Sequence, residues 1–447
     1  MQQIDDTLLA AIGLNEFSQG ELAALYHSLC KRIEIGLHRS GSPTQEDGGL
    51  LAIRTGIPVL THDQWHGVPS GCEALVCAYG GTNWIIGHAR KAEDGTIHIV
   101  ELHKQSITLN ERCHTFQGFV ELMAEMLLAT SKDHQLTHIT TVGISFGFAH
   151  ISERVSYGIE GILTSANLSK GWQLSDWDQQ EDKRLGKALM QELNASGEMH
   201  IEQIAMINDT CAVALDLGSI TGYLQQGIDV LPVGIVYGTG TNACLWHQAT
   251  LVNLEIGEAP YEQELLHDPI IEAMVAKNVV PAPAIIEHYT GGFLPLRLAV
   301  ALELLAEQGV LPQGKALGDA VQHADGTLLS ILAAGKVDGE ELRHAWNVPV
   351  EDAAMPILQL LAQRTLQKAG QVYGVILAAV IQQARKEQAP ASQEAIVRVE
   401  GSVIHEGYQI KELVQQTCER LGQTNIHIVK SSGLAGVGSL AMSLKFA

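Results

Sequence analysis

An aspartate that could act as a catalytic base lies in the segment INDTCAVAL (207–215), where an apolar run ends in Asn208 and Asp209. A carboxylate at such a position could accept a proton from a hydroxyl group whose oxygen attacks a γ-phosphoryl group, a role that phosphotransferases give to aspartate. Asn and Asp are also favoured N-caps of helices, so the pair could simply begin the helix that follows. The sequence spacing alone leaves both interpretations open.

Two similar turns, AYGGTN (78–83) and YGTGTN (237–242), each join two apolar runs. A tight turn of Gly and Thr leaves several backbone N–H groups pointing one way beside a hydroxyl, an arrangement that suits a phosphate group. Turns of Gly, Thr and Asn are also common in ordinary hairpins. Two equivalent turns in one chain favour phosphate binding and indicate two lobes built on one plan, with both turns facing the space between them.

The elements around these turns have an α/β pattern. Short strands are predicted in ALVCAYGG, NWIIGHARK and TIHIVELHK, with a DG turn at 94–95 joining the last two. Helices are predicted at about 7–38, 115–132 and 180–195, and the last two lead into the strands HITTVGISFGF and IEQIAMINDT. The segment GSPTQEDGG is predicted to be an exposed linker.

The second half opens in the same way, with the short strands PVGIVYGTG, NACLWHQ and LVNLEIG. A helix-rich region at about 260–387 follows, and then the strand AIVRVEGS, a helix at 409–421, the strand NIHIVKS and a terminal helix. Gly370 and Gly374, in the long helix predicted at 353–387, indicate close packing against another helix.

Composition limits the classes of function. The chain has 447 residues, a net charge of -22 and only 28 Lys and Arg, which disfavours binding to nucleic acid or to an anionic membrane surface. Its 7 Cys are scattered without a CxxC pair, and none of its 19 His falls into HExxH, so we expect neither a disulfide framework nor a protein-held metal site. No signal peptide or apolar stretch near 20 residues is evident, so a cytoplasmic protein is expected. The length of the chain favours two lobes over a single core.

Several motifs, in matching order from about residue 50 to the C-terminus, resemble those of the hexokinase/glucokinase family of sugar kinases. They are SFGF (145–148), LSKGW (168–172), INDT (207–210), GTGTNAC (238–244), NLEIG (253–257), the glutamate of IIEHYTGGF (285–293) and VRVEGS (397–402). The resemblance implies an α/β, two-lobed actin-like ATPase fold, a duplicated ribonuclease H-like fold with a cleft between its domains. It places the small domain at 72–209 plus 436–447, and the large domain at 1–71 plus 210–435.

The resemblance also implies that the γ-phosphoryl group of ATP, bound with Mg²⁺, is transferred to the 6-hydroxyl of glucose or a related hexose, with Asp209 and Lys170 as catalytic residues. The hexose would be held by Ser145, Ser169, Lys170, Asn208, Asp209, Asn242, Glu255 and Glu287. ATP would be held by Gly80, Gly81, Thr82, Asn83, Thr239, Gly240, Gly401, Ser402 and Gly436. Amide, ammonium and carboxylate groups suit sugar hydroxyls, because each hydroxyl both donates and accepts hydrogen bonds. A glycolytic role is expected, in a monomer or a homodimer.

The chain departs from the family pattern mainly on the nucleotide side. Ala78 replaces an aspartate that helps to hold Mg²⁺, Ile85 replaces an arginine, and SSGLAGVG (431–438) replaces S-E-D-G-S-G-K-G. Glu400 stands where the family has Asp, and Ile256 where it has Trp. Mg²⁺ could still be positioned by the nucleotide phosphates and, through water, by Asp209. Three alternatives stay open: a weak or inactive sugar-binding sensor, a kinase for another sugar such as an amino sugar, and a non-kinase fold with stacked turns.

Overall fold

The computed structural model of the protein describes residues 5–39, 47–57, 62–80, 83–106, 111–148, 150–169, 172–226, 228, 230–259, 267–277, 286–322, 324, 326–346, 350–351, 354–387 and 394–446. Most of the predicted linker GSPTQEDGG lies outside these residues. None of the helices in the described part is both long enough and apolar enough to span a membrane.

In the described residues the α-helices are α1 (Asp6–Ala11), α2 (Gln19–His38), α3 (His62–Gly67), α4 (Phe116–Asp133), α5 (Leu185–Ala195), α6 (Asp209–Ala214), α7 (Thr221–Gln225), α8 (Pro269–Ala276), α9 (Leu294–Glu307), α10 (Gly314–Val321), α11 (Gly326–Ala333), α12 (Gly339–Trp346), α13 (Met355–Glu387), α14 (Ser402–Glu406), α15 (Ile410–Arg420) and α16 (Gly433–Leu444). The β-strands are β1 (Ile53–Arg54), β2 (Glu73–Tyr79), β3 (Asn83–Lys91), β4 (Ile97–Ser106), β5 (Thr141–Phe146), β6 (His150–Val155), β7 (Gly158–Leu163), β8 (Asn167–Ser169), β9 (Trp172–Gln173), β10 (Gln203–Asn208), β11 (Val230–Tyr237), β12 (Thr241–His247), β13 (Thr250–Asn253), β14 (Ala395–Glu400) and β15 (Ile426–Lys430).

Two large sheets organise the described part of the chain. One has the order β4-β3-β2-β5-β10-β7-β6 and the other β1-β13-β12-β11-β14-β15, while β8 and β9 form a small separate ribbon. In each large sheet the first strand of an antiparallel hairpin also pairs in parallel with a later strand: β2 with β5, and β11 with β14. The predicted α/β architecture with two lobes built on one plan is therefore confirmed.

Buried apolar side chains join helices to each sheet. Phe119 of α4 and Leu189 of α5 are fully buried in a core that covers the first sheet. Under the second sheet, Tyr373 of α13 stacks on Tyr237 of β11 with ring centroids 4.2 Å apart. Burying a large apolar side chain is worth about 1.5–3 kcal/mol, so these contacts hold the strands that carry the turns.

The close packing predicted for the long helix is confirmed. A Cβ atom added at Gly370 would lie 2.8 Å from the Cβ of Leu413, and one at Gly374 would lie 2.4 Å from the Cβ of Thr417. Both neighbours belong to α15, so the two glycines let α13 and α15 approach each other closely. Real Cβ atoms do not approach so closely, and larger residues would force the helices apart.

A buried ionic cluster ties α8, α9 and α13 together. The Oδ2 atom of Asp268 lies 2.8 Å from Nη2 of Arg297 and 3.3 Å from Nζ of Lys368, and it accepts a hydrogen bond from the Tyr289 hydroxyl. Burial alone would raise the pKa of Asp268, but the charges of Arg297 and Lys368 hold it well below its usual value. The carboxylate is therefore the counter-ion of two buried cations, and its loss would leave them uncompensated.

One prediction of secondary structure was wrong, and one hairpin was not predicted. The helical pattern at 7–38 is two helices, because the Ser18 side chain accepts from the Glu21 N–H and caps a new helix start. The hairpin of β6 and β7 was missed, since the polar run Ser152, Glu153, Arg154 gives a weak apolar alternation. The first sheet consequently has more strands than the sequence pattern predicted.

Candidate active site

Asp209 lies where β10 meets α6. The preceding residue, Asn208, is buried and caps α6, because its side-chain oxygen accepts from the Thr210 N–H at 3.0 Å. Asp209 is thus the first helical residue, and its Oδ1 accepts from the Thr210 N–H at 2.7 Å and from the Thr210 hydroxyl at 3.2 Å. Both side chains accept from the Thr210 N–H, but the two residues differ in position: Asn208 is the N-cap of α6, whereas Asp209 lies inside the helix and keeps its second oxygen, Oδ2, out of this contact.

The first glycine turn, the SFGF segment and Asp209 meet at one point. A Cβ atom built on Gly147 would lie 3.2 Å from Oδ2 of Asp209 and 3.2 Å from the Cα of Gly80. The Gly147 N–H also donates to the carbonyl of Tyr79 at 2.9 Å, and the Gly80 N–H donates to the carbonyl of Asn83 at 3.3 Å. A side chain at position 147 would therefore occupy the space between the carboxylate and the turn.

Ser145 and Glu400 lie beside the start of α16. The Gly433 N–H donates to Oε2 of Glu400 at 2.8 Å, and a Cβ at Gly433 would be 3.0 Å from Oγ of Ser145. Ser145 is buried here, next to Ala78 in the paired strands β5 and β2. Burial raises the pKa of Glu400 to about 7. The charges of Asp209 and Asp216 also raise this pKa, whereas the hydrogen bond from the Gly433 N–H lowers it.

A second polar group comes from the other sheet. Asn242 donates through Nδ2 to Oδ1 of Asn253 at 2.8 Å, and Asn253 donates through Nδ2 to Oε1 of Glu255 at 2.7 Å. Glu255 has a left-handed backbone, with φ of 47°. Its pKa is raised to about 7 by burial and by the charges of Glu258 and Asp209, while the hydrogen bond from Asn253 lowers it. Asn253 was not predicted as a site residue, although the motif NLEIG contained it.

The carboxylate of Asp209 acts on both Glu255 and Glu400, because its charge contributes to the raised pKa of each. Glu255 follows a strand of the second sheet, and Asp209 follows a strand of the first. Charges carried by both sheets therefore influence one another at this site. A group of donors and acceptors of this kind can pair with several hydroxyls of one small ligand.

A cavity of about 240 Å³ opens beside the second glycine turn. It is lined by Thr239, Gly291, Leu294, Gly326, Thr327, Ser330, Leu366, Ser402, Val403, Glu406 and Gly407. The turn is fixed by the N–H groups of Gly291 and Gly292, which donate to the carbonyls of Gly238 and Thr239 at 2.9 and 3.0 Å. Of these lining residues, the sequence predicted only Thr239 and Ser402 as site residues. The others were not predicted, because they are distant from the turn in sequence.

The other predicted nucleotide glycines have different surroundings. At Gly401 the backbone φ is 129°, and a Cβ would lie 1.9 Å from the carbonyl oxygen of Tyr237, so the glycine permits a close strand contact. Gly436 is buried in α16, where a Cβ would lie 1.7 Å from the carbonyl oxygen of Ala212. Gly240 is exposed in its turn, with no atom within 4 Å of an added Cβ.

Some predicted residues lie outside the described part. These are Gly81, Thr82 and Lys170, together with the side chains of Ser169 and Glu287. Within the described residues no group of three His, Cys, Asp or Glu side chains could hold a metal ion.

No protein-family model matches the chain. Two curated relatives are similar to it: hexokinase-3 of Rattus norvegicus, 24% identical over 376 residues, and glucokinase-1 of Kluyveromyces lactis, 24% identical over 241 residues. The matches cover 77% and 52% of this chain but 38% and 47% of those proteins. The chain thus matches less than half the length of either relative.

Solved structures extend the similarity to nearly the whole chain. A hexokinase from Schistosoma mansoni complexed with glucose has a TM-score of 0.75 at 16% identity, covering 98% of this chain and 100% of that one. A second hexokinase crystal structure has a TM-score of 0.73 at 16% identity and covers 98% of both chains. The protein therefore has the two-lobed actin-like fold of the hexokinases, as its motifs predicted.

Proposed function

We propose that this chain, which has the hexokinase fold, is a hexose kinase that transfers the γ-phosphoryl group of MgATP to the 6-hydroxyl of glucose or a related hexose. The observation that carries the proposal is the position of Asp209 beside Gly147 and Gly80 of the first glycine turn. Asp209 can accept the proton of the attacking hydroxyl, because its second oxygen is directed to the gap beside Gly147 and Gly80.

The hexose is assigned to the polar group around Asp209. The Asn242–Asn253–Glu255 chain fixes the orientation of each side chain by hydrogen bonds, so the site is arranged before a sugar arrives. Glucose is the natural first candidate, because a solved structure of the same fold was determined with glucose.

The nucleoside part of ATP is assigned to the cavity beside Thr239. Its volume of about 240 Å³ is below the range of about 300–1,000 Å³ for complete ligand pockets, which suits a base and sugar whose phosphates extend outwards. Leu294, Leu366 and Val403 offer apolar contacts to a base, and the hydroxyl of Ser402 can bind a ribose. The phosphates would then reach the turn at 238–240 and approach Asp209.

Magnesium fits this arrangement in part. Mg²⁺ in phosphoryl-transfer sites keeps several waters and needs only one or two protein carboxylates, so the lack of a three-ligand cluster in the described residues is compatible with it. Asp209 supplies a carboxylate beside the first turn, whereas Ala78 supplies none. When bound, the ion would neutralise charge on the phosphate oxygens. Closure of the lobes would exclude water as a competing acceptor.

The experiment is product formation from a panel of hexoses with Mg²⁺ and ATP, together with hexose binding measured without nucleotide. A kinase forms a hexose 6-phosphate from at least one sugar that it also binds. Saturable hexose binding without product would contradict the proposal and identify a sugar sensor, the outcome that the loss of a carboxylate at Ala78 would explain.

A further inference from the structure

A second cavity lies between α13 and the start of α15, outside the candidate active site. It has a volume of about 220 Å³ and polar lining residues that include Gln363, Arg364, Gln367, Tyr408 and Gln409. Such a concentration of side-chain donors around one small cavity is suited to a polar ligand. None of these residues belongs to the site assigned to hexose or nucleotide.

Arg364 provides the cationic group of this cavity. Its Nη1 donates to Oε1 of Glu16 and to Oε1 of Gln367, both at 2.9 Å. The other edge of the guanidinium group is formed by Nε and Nη2. Nε is buried and has no hydrogen-bond partner among the described residues. Nη2 lies 3.9 Å from Oδ1 of the highly exposed Asp6. The Nε–Nη2 edge of a guanidinium group matches the two oxygens of a carboxylate or phosphate.

The backbone at Gln409 is a further indication of a ligand site. Gln409 has a φ of 56°, in the left-handed region that non-glycine residues rarely adopt. It precedes α15, yet its side chain does not cap the helix. Its carbonyl begins the helix by accepting from the Leu413 N–H at 3.1 Å, and residues in such rarely populated backbone conformations cluster at ligand-binding segments.

The two cavities share one segment of chain. Glu406 and Gly407 line the larger cavity, and Tyr408 and Gln409 line the smaller one. The Tyr408 N–H donates to Oγ of Ser330 at 3.3 Å, and Ser330 also lines the larger cavity. A ligand that reorders Tyr408 or Gln409 therefore acts directly on a wall of the proposed nucleotide site.

We propose that the cavity at Arg364 is a regulatory site for a small metabolite bearing an oxyanion, either phosphate or carboxylate, and that its occupancy changes nucleotide affinity. The oxyanion binds the free edge of Arg364, and the glutamine amides bind its remaining polar groups. Binding itself is independent of the proposed function, whereas the coupling to nucleotide rests on it.

The test is calorimetric titration of the full chain with inorganic phosphate and, separately, with citrate, at constant ionic strength and without hexose or nucleotide. We expect saturable binding of at least one anion, weakened about tenfold or more in Arg364→Gln, because a charge-assisted pair is lost. Arg364→Lys should also bind more weakly, because it lacks the fork. Arg385→Gln is the matched control, since Arg385 lies on the same helix and donates to Gln423 and the Thr424 carbonyl.

Leu360→Trp is the second variant, because Leu360 lines the cavity and the change fills it while leaving the Arg364–Glu16 pair in place. Loss of anion binding in this variant supports the proposal even if Arg364→Gln disturbs folding. The proposal is overturned if the wild type shows no saturable anion binding. It is also overturned if binding survives in both Leu360→Trp and Arg364→Gln, because such binding would belong to the glycine turns. Coupling requires that the bound anion change the affinity for a non-hydrolysable ATP analogue at least threefold, and an unchanged affinity refutes the coupling.

Discussion

Replacing Glu255 with Gln should remove a pH-dependent loss of stability. The pKa of Glu255 is about 7 in the folded protein, against 4.5 for an unperturbed glutamate. Between these values the unfolded chain releases a proton that the folded protein keeps, so stability falls as pH rises through this window. The slope reaches about 1.4 kcal/mol per pH unit, which gives roughly 2–3 kcal/mol between pH 5 and pH 8.

The assay is equilibrium urea unfolding of the wild type and Glu255→Gln at pH 5 to 8, without sugar. The difference in unfolding free energy between the variant and the wild type should shift in favour of the variant by roughly 2–3 kcal/mol as the pH rises from 5 to 8, because Gln has no proton to lose. Comparing the two proteins at each pH cancels the contribution of Glu400, which titrates in the same range. Glu101→Gln is the control and should give the wild-type pH profile, since Glu101 is exposed on β4 of the other sheet and takes no part in the group around Glu255. A stability difference between wild type and Glu255→Gln that is constant across this range would refute the burial of an ionisable Glu255.

Three further changes test separate parts of the account. Ala78→Asp should improve the apparent affinity for MgATP or raise turnover, and an unchanged KM and kcat would show that the missing carboxylate is not limiting. Gly147→Ala should lower kcat about tenfold or more with a small change in melting temperature, because its Cβ would lie 3.2 Å from Oδ2 of Asp209; an unchanged kcat would mean that this gap is unused. Asp268→Ala should lower the free energy of unfolding by about 3–5 kcal/mol, since it leaves Arg297 buried without its counter-ion, and urea unfolding with a loss below about 1 kcal/mol would contradict this.

The sequence was most informative where one local pattern determines the structure. The hairpins that carry the glycine turns could be predicted because apolar runs with a turn between them specify an antiparallel pair. The role of the Asn208–Asp209 pair could not be predicted, because both residues are good N-caps and only the structure places Asn208 at the N-cap of α6 and Asp209 inside the helix. The hairpin of β6 and β7 was missed because its polar residues obscure the strand periodicity.

The candidate site was predictable only through motifs, and its walls were not. Asn253 connects Asn242 to Glu255 by side-chain hydrogen bonds that depend on the register of β12 and β13. Ser330 lines the larger cavity because α11 packs against α13 and α14, long-range contacts that local periodicity does not contain. Cavities are formed by residues far apart in sequence, so a single sequence identifies the turn that borders a cavity better than the cavity itself.

The central claim is that Asp209 accepts the proton of the hexose hydroxyl, and Asp209→Asn tests it most directly. Asn can still accept the hydrogen bonds from Thr210, so local structure should persist, but it cannot take up the proton. The measurement is hexose 6-phosphate formation by wild type and variant, with hexose affinity determined on the same samples. Turnover should fall about 10²- to 10⁴-fold in the variant while hexose binding largely survives. A variant that binds the sugar and retains full turnover would contradict it.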